Sequence, residues 1–100
     1  MFVPCNTVAE YRAHLNTDKL VVIDFWARWC RPCMNVKPLL QEISAPDAVL
    51  LEVNVDENEE IQQEWRVRVL PTFLFIRNRQ EVGRLEGADL DSLREKIATL

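Results

Sequence analysis

Seven consecutive residues, Leu20-Val21-Val22-Ile23-Asp24-Phe25-Trp26, restrict the fold more than any other stretch of the chain. Read as a strand, they are apolar on both faces except at Asp24. Such a strand must be covered on both sides, as a central parallel strand is. The one acid within it is therefore expected as a buried carboxylate. Soon after come Cys30-Arg31-Pro32-Cys33 and then a helical stripe at Val36, Leu39, Leu40 and Ile43, which Pro38 interrupts and should kink. Two thiols thus sit where a central strand feeds a helix.

The flanking segments supply the rest of an α/β architecture. Thr7-Val8-Ala9-Glu10 fits a capping box and opens a helix with a Val8, Tyr11 and Leu15 stripe ending near Asn16. Val49, Leu51, Val53 and Val55 alternate with Leu50, Glu52 and Asn54, predicting a strand that ends at Asp56. Asp56 or Asn58 then starts a short helix through Trp65. Thr72 to Arg77 and Glu81 to Glu86 read as a hairpin around Asn78-Arg79-Gln80. Pro71 precedes it, where a missing N–H donor removes no ladder bond. Asp89 caps a last helix with Leu90, Leu93, Ile97 and Leu100 on one face. With a faint first strand at Met1 to Val3, the order predicts a mixed five-stranded sheet flanked by four helices. No linker or repeat interrupts residues 1–100, so a single domain is expected, burying roughly 65% of its unfolded surface.

Composition narrows the function. Twelve basic residues, nine of them Arg, face 16 acidic ones for a net charge of −4, which argues against a general nucleic-acid or membrane-surface binder. The longest apolar runs, such as Leu20 to Ile23 and Phe73 to Ile76, reach four residues, far short of the ~20 that span a bilayer. Met1-Phe2-Val3-Pro4-Cys5 has neither the pattern of a secretory leader nor that of a transit peptide. Three cysteines allow at most one internal pair, unlike a secreted disulfide scaffold. A monomer in the cytoplasm or another intracellular reducing compartment is expected.

The Cys-x-x-Cys spacing at a helix start suits reversible dithiol/disulfide exchange. The free N–H groups and positive dipole end of the helix favour a thiolate at Cys30. Cys33, one turn inside, is expected to be more buried and protonated, so that Cys30 attacks and Cys33 resolves the mixed disulfide. The same spacing occurs as half of a zinc site. Zinc needs two more ligands, and only Cys5 and His14 are soft partners, neither of them in a second knuckle. The expectation is therefore a redox-active Cys30-Cys33 pair with no metal and no bound cofactor.

The segment Ile23-Asp24-Phe25-Trp26-Ala27-Arg28-Trp29-Cys30-Arg31-Pro32-Cys33 resembles the active-site region of the thioredoxin family. The likeness continues through Pro38, Asn54-Val55-Asp56, Val69-Leu70-Pro71-Thr72-Phe73 and Gly87-Ala88, across essentially the whole chain. It implies a thioredoxin fold and a cis Leu70-Pro71 bond facing the dithiol, where the motif-free reading of Pro71 is an ordinary trans proline opening a strand. It also implies an apolar rim of Trp29, Pro32, Leu70, Pro71 and Gly87 for substrate polypeptides. Asp24 matches the family's buried aspartate beneath the resolving cysteine; desolvation should raise its pKa so that it accepts the Cys33 proton. The implied activity is reduction of protein disulfides. Electrons would come from NADPH through a flavoprotein thioredoxin reductase, and clients would be disulfide proteins such as peroxiredoxins or reductases.

Several positions depart from the family pattern. Arg31 replaces the usual Gly between the thiols and is expected to stabilise the Cys30 thiolate and raise the redox potential. Glu52 aligns with a lysine that commonly accompanies the buried aspartate; pointing inward it would push one carboxyl pKa up, pointing outward it would do nothing. Arg66, Val69 and Arg79 also stand where Gly is frequent, and Arg66 and Arg79 are expected at φ > 0. Arg28, Arg66 and Arg68 could form a basic rim favouring acidic partners. Cys5 reads as an unpaired thiol, Trp65 as core and His14 as surface. Two other functions share these residues: oxidase or isomerase-type exchange, and a redox-independent binding module using the same rim. A glutaredoxin-like role fits less well, because the Pro-Tyr dipeptide and Gly-Gly segment typical of that family are absent.

Overall fold

In the computed structural model, which describes all 100 residues, the chain runs β1 (Val3–Pro4), α1 (Val8–Leu15), β2 (Leu20–Trp26), α2 (Arg31–Leu40), β3 (Ala48–Asn54), α3 (Glu59–Glu64), β4 (Thr72–Arg77), β5 (Gln80–Glu86) and α4 (Leu90–Thr99). The sheet order is β1-β3-β2-β4-β5. β3 pairs parallel with β1 and β2, and β4 pairs antiparallel with β2 and β5. The doubly apolar strand is therefore central, as its sequence requires. No helix is long and apolar enough to cross a membrane.

Strand alternation sorts the core into two layers. Val21, Ile23 and Phe25 join Leu51, Val53, Leu74 and Ile76 in a cluster with Tyr11, Leu15 and Ile61, beneath α1 and α3. Leu20 and Val22 join Leu50, Phe73 and Phe75 in a second cluster with Leu40, Ile43 and Leu93, beneath α2 and α4. Asp24 continues the Leu20-Val22 row, so it lies on the α2 side, with Glu52 and Phe73 as its register neighbours. Trp65 is core-packed, as expected; its Nε1–H donates to the Tyr11 hydroxyl at 2.7 Å, and that hydroxyl donates to Glu64 at 2.6 Å.

The capping box forms, with Thr7 Oγ1 accepting the Glu10 N–H at 3.1 Å. Glu10 reaches back to the Asn6 N–H at 2.9 Å, one residue before the cap. Asp89 caps α4 as predicted. α2 stops at Leu40, short of the predicted stripe's last member. Glu42 and Ile43 then donate to carbonyls three residues back, and this tighter turn brings Ile43 into the core while Leu39 stays 44% exposed. β3 ends at Asn54, where the Asn54 side chain accepts the Asp56 N–H at 3.0 Å and turns the chain. Its even residues Leu50, Glu52 and Asn54 are buried along with the odd ones, because helices cover that face too. β1 lies at Val3–Pro4, shifted from Met1 to Val3. His14, expected at the surface, is half-buried.

Asn78 and Arg79, at φ 51° and 65°, form the hairpin turn alone, and Gln80 already pairs with Arg77 in β5. Two central residues at φ > 0 match the right-handed twist of the strands, which is why such a turn prefers Asn and Gly. Arg66 is the other left-handed position expected from the sequence, at φ 53°.

Candidate active site at the Cys30–Cys33 disulfide

Cys30 and Cys33 are joined in a disulfide with Cα atoms 5.3 Å apart. Cys30 is the N-cap of α2, and its Sγ accepts the Cys33 N–H at 3.2 Å. Arg31 opens the helix, and Pro32 follows in the first turn, where a backbone donor has no intrahelical partner to lose. Both cysteines are buried to nearly the same degree, 5% and 3% exposed. The expected contrast in burial is therefore absent from the disulfide form. What distinguishes the two sulfurs is the N–H aimed at Cys30 Sγ, a donor that favours negative charge there.

The residues expected to form the rim lie just before and in the first turn of α2, just before β4 and just after β5. Trp29 is 70% exposed, with its indole N–H donating to Asp56 Oδ2 at 3.0 Å. Pro32 is exposed beside it. The Leu70-Pro71 bond is cis. Leu70 packs, half-buried, against the cluster containing both cysteines. Pro71 is buried, and its carbonyl accepts the N–H of Gly87 at 2.9 Å, with Gly87 at φ 114°. Two more apolar residues, next in sequence to Cys33 and Leu70, are exposed: Met34, which the sequence reading passed over, and Val69, which it singled out only as standing where Gly is frequent. The signal for each was its adjacency to a residue already singled out.

On the face of β2 that α2 covers, Asp24 is 3% exposed and its Oδ1 has no hydrogen-bond partner. Burial pushes the carboxyl up to about 7; repulsion from Glu52 adds to the rise, and Lys37 opposes it. Glu52 points inward, resolving the orientation that sequence left open. It is 4% exposed and accepts from Lys37 Nζ at 2.8 Å. The same ammonium lies 3.6 Å from the centre of the Trp26 ring. The compensating cation thus comes from α2, four residues after Cys33 and on the same helix face, and not from β3. A cleft of about 370 Å³ reaches solvent beside Trp26, Lys37 and Glu52. A larger cavity, about 580 Å³, lies elsewhere, between the end of α4 and the starts of β2 and β3.

Arg31, Arg66 and Arg68 are exposed and make no ion pair, while Arg28 approaches Glu57 at only 3.9 Å. Cys5 is 1% exposed and unpaired, its thiol pushed up mainly by burial and further by Glu10. It shares the first core cluster with the disulfide but forms no bond to it. No three His, Cys, Asp or Glu side chains gather into a group that could hold a metal ion.

A family model described as Thioredoxin matches residues 2–99. Thioredoxin H2-1 of rice (Oryza sativa subsp. japonica) is 49% identical over 90 residues, covering 88% of this chain and 65% of its own length. Thioredoxin H-type 1 of Nicotiana tabacum is 39% identical over 99 residues, covering 93% of this chain and 79% of the relative. Among solved structures, thioredoxin of Fasciola hepatica superposes with a TM-score of 0.90 at 37% identity, covering 98% of this chain and 97% of that one.

Proposed function

The chain belongs to the thioredoxin family, and from that premise we propose that it reduces protein disulfides through Cys30 and Cys33. The observation that carries this reading is the disulfide itself, closed at the N-terminus of α2 with Cys30 Sγ accepting a backbone N–H. In the reduced protein, the Cys30 thiolate attacks a client disulfide, forming a mixed disulfide and releasing one client thiolate. The Cys33 thiol then passes its proton to Asp24 and attacks Cys30 Sγ. The second client sulfur leaves, and two electrons have moved from the dithiol to the client. Asp24 suits this step because its burial favours the protonated form.

Trp29, Pro32, Leu70, Pro71 and Gly87 form the docking rim in this reading, and electrons return from NADPH through a flavoprotein thioredoxin reductase. Clients are disulfide proteins such as peroxiredoxins or reductases, and the compartment is cytoplasmic or otherwise reducing. Arg31 supports a second reading within the same chemistry. An unpaired cation between the thiols stabilises the thiolate and hence the reduced form, raising the potential by about 30 mV for each 1.4 kcal/mol gained and moving the protein toward oxidase or isomerase-type exchange.

Insulin disulfide reduction, driven by a dithiol reductant and separately by thioredoxin reductase with NADPH, tests the main reading. No turnover in either arm defeats it, and full function with Cys30→Ser and Cys33→Ser combined would favour a binding module. For Arg31, glutathione equilibration of Arg31→Gly is expected to give a lower potential and a higher Cys30 pKa. If neither moves, the second reading fails.

A further inference from the structure

The segment from the end of α3 to β4 carries Val69, Leu70 and Pro71 to the disulfide without the glycines that would make its turn easy. Arg66, just past the Trp65 C-cap, holds φ 53°, a left-handed conformation that a Cβ disfavours. The segment is held by a set of hydrogen bonds to its carbonyls. Gln62 Nε2 donates to Val67 O at 3.2 Å and Thr72 Oγ1 to Val69 O at 2.5 Å, both local contacts. The strained corner closes on two backbone bonds of its own, Arg66 N–H to Gln63 O and Val67 N–H to Gln62 O, each at 3.1 Å, and is gripped in addition from another strand. Arg84, opposite Leu74 in β5 and so on the α3 side of the sheet, donates from Nη2 to Trp65 O at 2.6 Å and from Nη1 to Arg66 O at 3.4 Å. Its Nε and Nη2 also donate to the two Glu81 carboxylate oxygens, at 3.0 and 2.9 Å. The Trp65 carbonyl is an orphan acceptor at the α3 C-terminus, where a cation is also favoured by the helix dipole.

We propose that Arg84, oriented by Glu81, is a positioning residue for client exchange: it clamps the left-handed corner at Trp65-Arg66 and thereby fixes the edge formed by Val69, Leu70 and Pro71. The assignment rests on the reductase reading, in which that edge receives the client. Without the guanidinium, two carbonyls lose their charged partner while Arg66 keeps its unfavourable φ. The corner then relaxes, and the client must reorder it on binding. Such a cost falls on binding and leaves the sulfur chemistry untouched, so KM rises while kcat and the potential hold.

The test compares wild type, Arg84→Ala, Arg84→Lys and the Arg84→Ala/Arg66→Gly double variant in insulin reduction with reductase and NADPH. Arg84→Ala is expected to raise KM about five-fold with kcat within about two-fold and an unchanged glutathione-equilibrated potential. Arg84→Lys, which keeps the charge beside Glu81 but not the fork geometry, should fall between. Gly at position 66 adopts the corner without strain and should recover at least half of the lost KM. An unaltered KM in Arg84→Ala, or a loss that Arg66→Gly does not relieve, overturns the clamp. Amide exchange gives an activity-independent reading: residues 66–70 should exchange faster in Arg84→Ala while β2 amides do not, and equal exchange in 66–70 also overturns it. A wild-type protein without turnover would instead defeat the reductase reading, leaving the exchange comparison to judge the clamp.

Discussion

Replacing Asp24 with Asn should make the oxidised protein more stable, and by an amount that depends on pH in a defined direction. The Asp24 carboxyl is buried, its Oδ1 lacks a partner, and its pKa rises from 3.8 to about 7 on folding. Between those values the folded state holds a proton that the unfolded chain has released, so stability falls as pH rises through that window. At 1.36 kcal/mol per pH unit, the full fall is about 4 kcal/mol. Below pH 4 both states are protonated and the penalty vanishes; above pH 7 it is complete. Asn keeps the shape and removes the charge. Urea unfolding of oxidised wild type and Asp24→Asn from pH 3.5 to 8.5 should therefore show curves that converge in acid and separate by up to about 4 kcal/mol at pH 8, with the variant the more stable. Relaxation and water entry around the carboxylate would reduce the gap without changing its sign. A variant less stable than wild type at pH 8, or two curves with the same slope between pH 4 and 7, would refute a desolvated Asp24. In the proposed exchange cycle the same variant should resolve mixed disulfides more slowly, so stability and rate move in opposite senses.

The neighbours of Asp24 should move its titration in opposite directions. Lys37→Met removes the opposing cation and should raise the midpoint, while Glu52→Gln removes the repelling anion and should lower it; carboxyl NMR titration reads both, and two unshifted midpoints would refute the coupling. Lys37→Met should also cost about 3 kcal/mol, because it strands the buried Glu52 charge. Cys5 should resist alkylation in the native oxidised protein and react freely in denaturant, since it is 1% exposed; native labelling at the rate of a free thiol would show that the β1 edge opens.

What could be read from sequence was what depends on local pattern. β2 has the bounds its apolar run indicated, and Cys30 caps the helix that the motif announced. The misplaced features depend on pairing or coverage. The alternation in β3 suggests a half-buried strand, yet Glu52 is buried, because α2 covers its face and places Lys37 against it. Only the parallel register sets Glu52 beside Asp24, and register is a long-range property. Lys37 was nevertheless findable: four residues after Cys33 on one helix, it had to share that cysteine's face. The Ile43 discrepancy has a different origin, since a uniform helical period cannot express a turn that tightens after Leu40. Arg84 left no local signal, because its role exists only where β5 meets the end of α3.

The scarcity of glycine has a different meaning at each place where arginine stands instead. At Arg31 the backbone is helical, so the side chain costs no strain and the change is one of charge beside a sulfur. At Arg79 the turn needs φ 65°, and the guanidinium donates to Asn16 at 3.2 Å, a contact no glycine could make. At Arg66 the strain is offset by two backbone bonds closing the end of α3 and, from outside, by Arg84 gripping the carbonyls of the two peptides that flank Arg66. Where no such partner is at hand, glycine remains: Gly87 sits at φ 114° with open space where a Cβ would go, so backbone conformation and not crowding keeps it. Gly87 donates its N–H to the Pro71 carbonyl, and of the three arginines only Arg31 stands at the disulfide, since Arg79 lies in the hairpin turn at the other end of β4 from Pro71. Backbone freedom has thus been given up where side-chain contacts can replace it, and kept at Gly87, where they cannot.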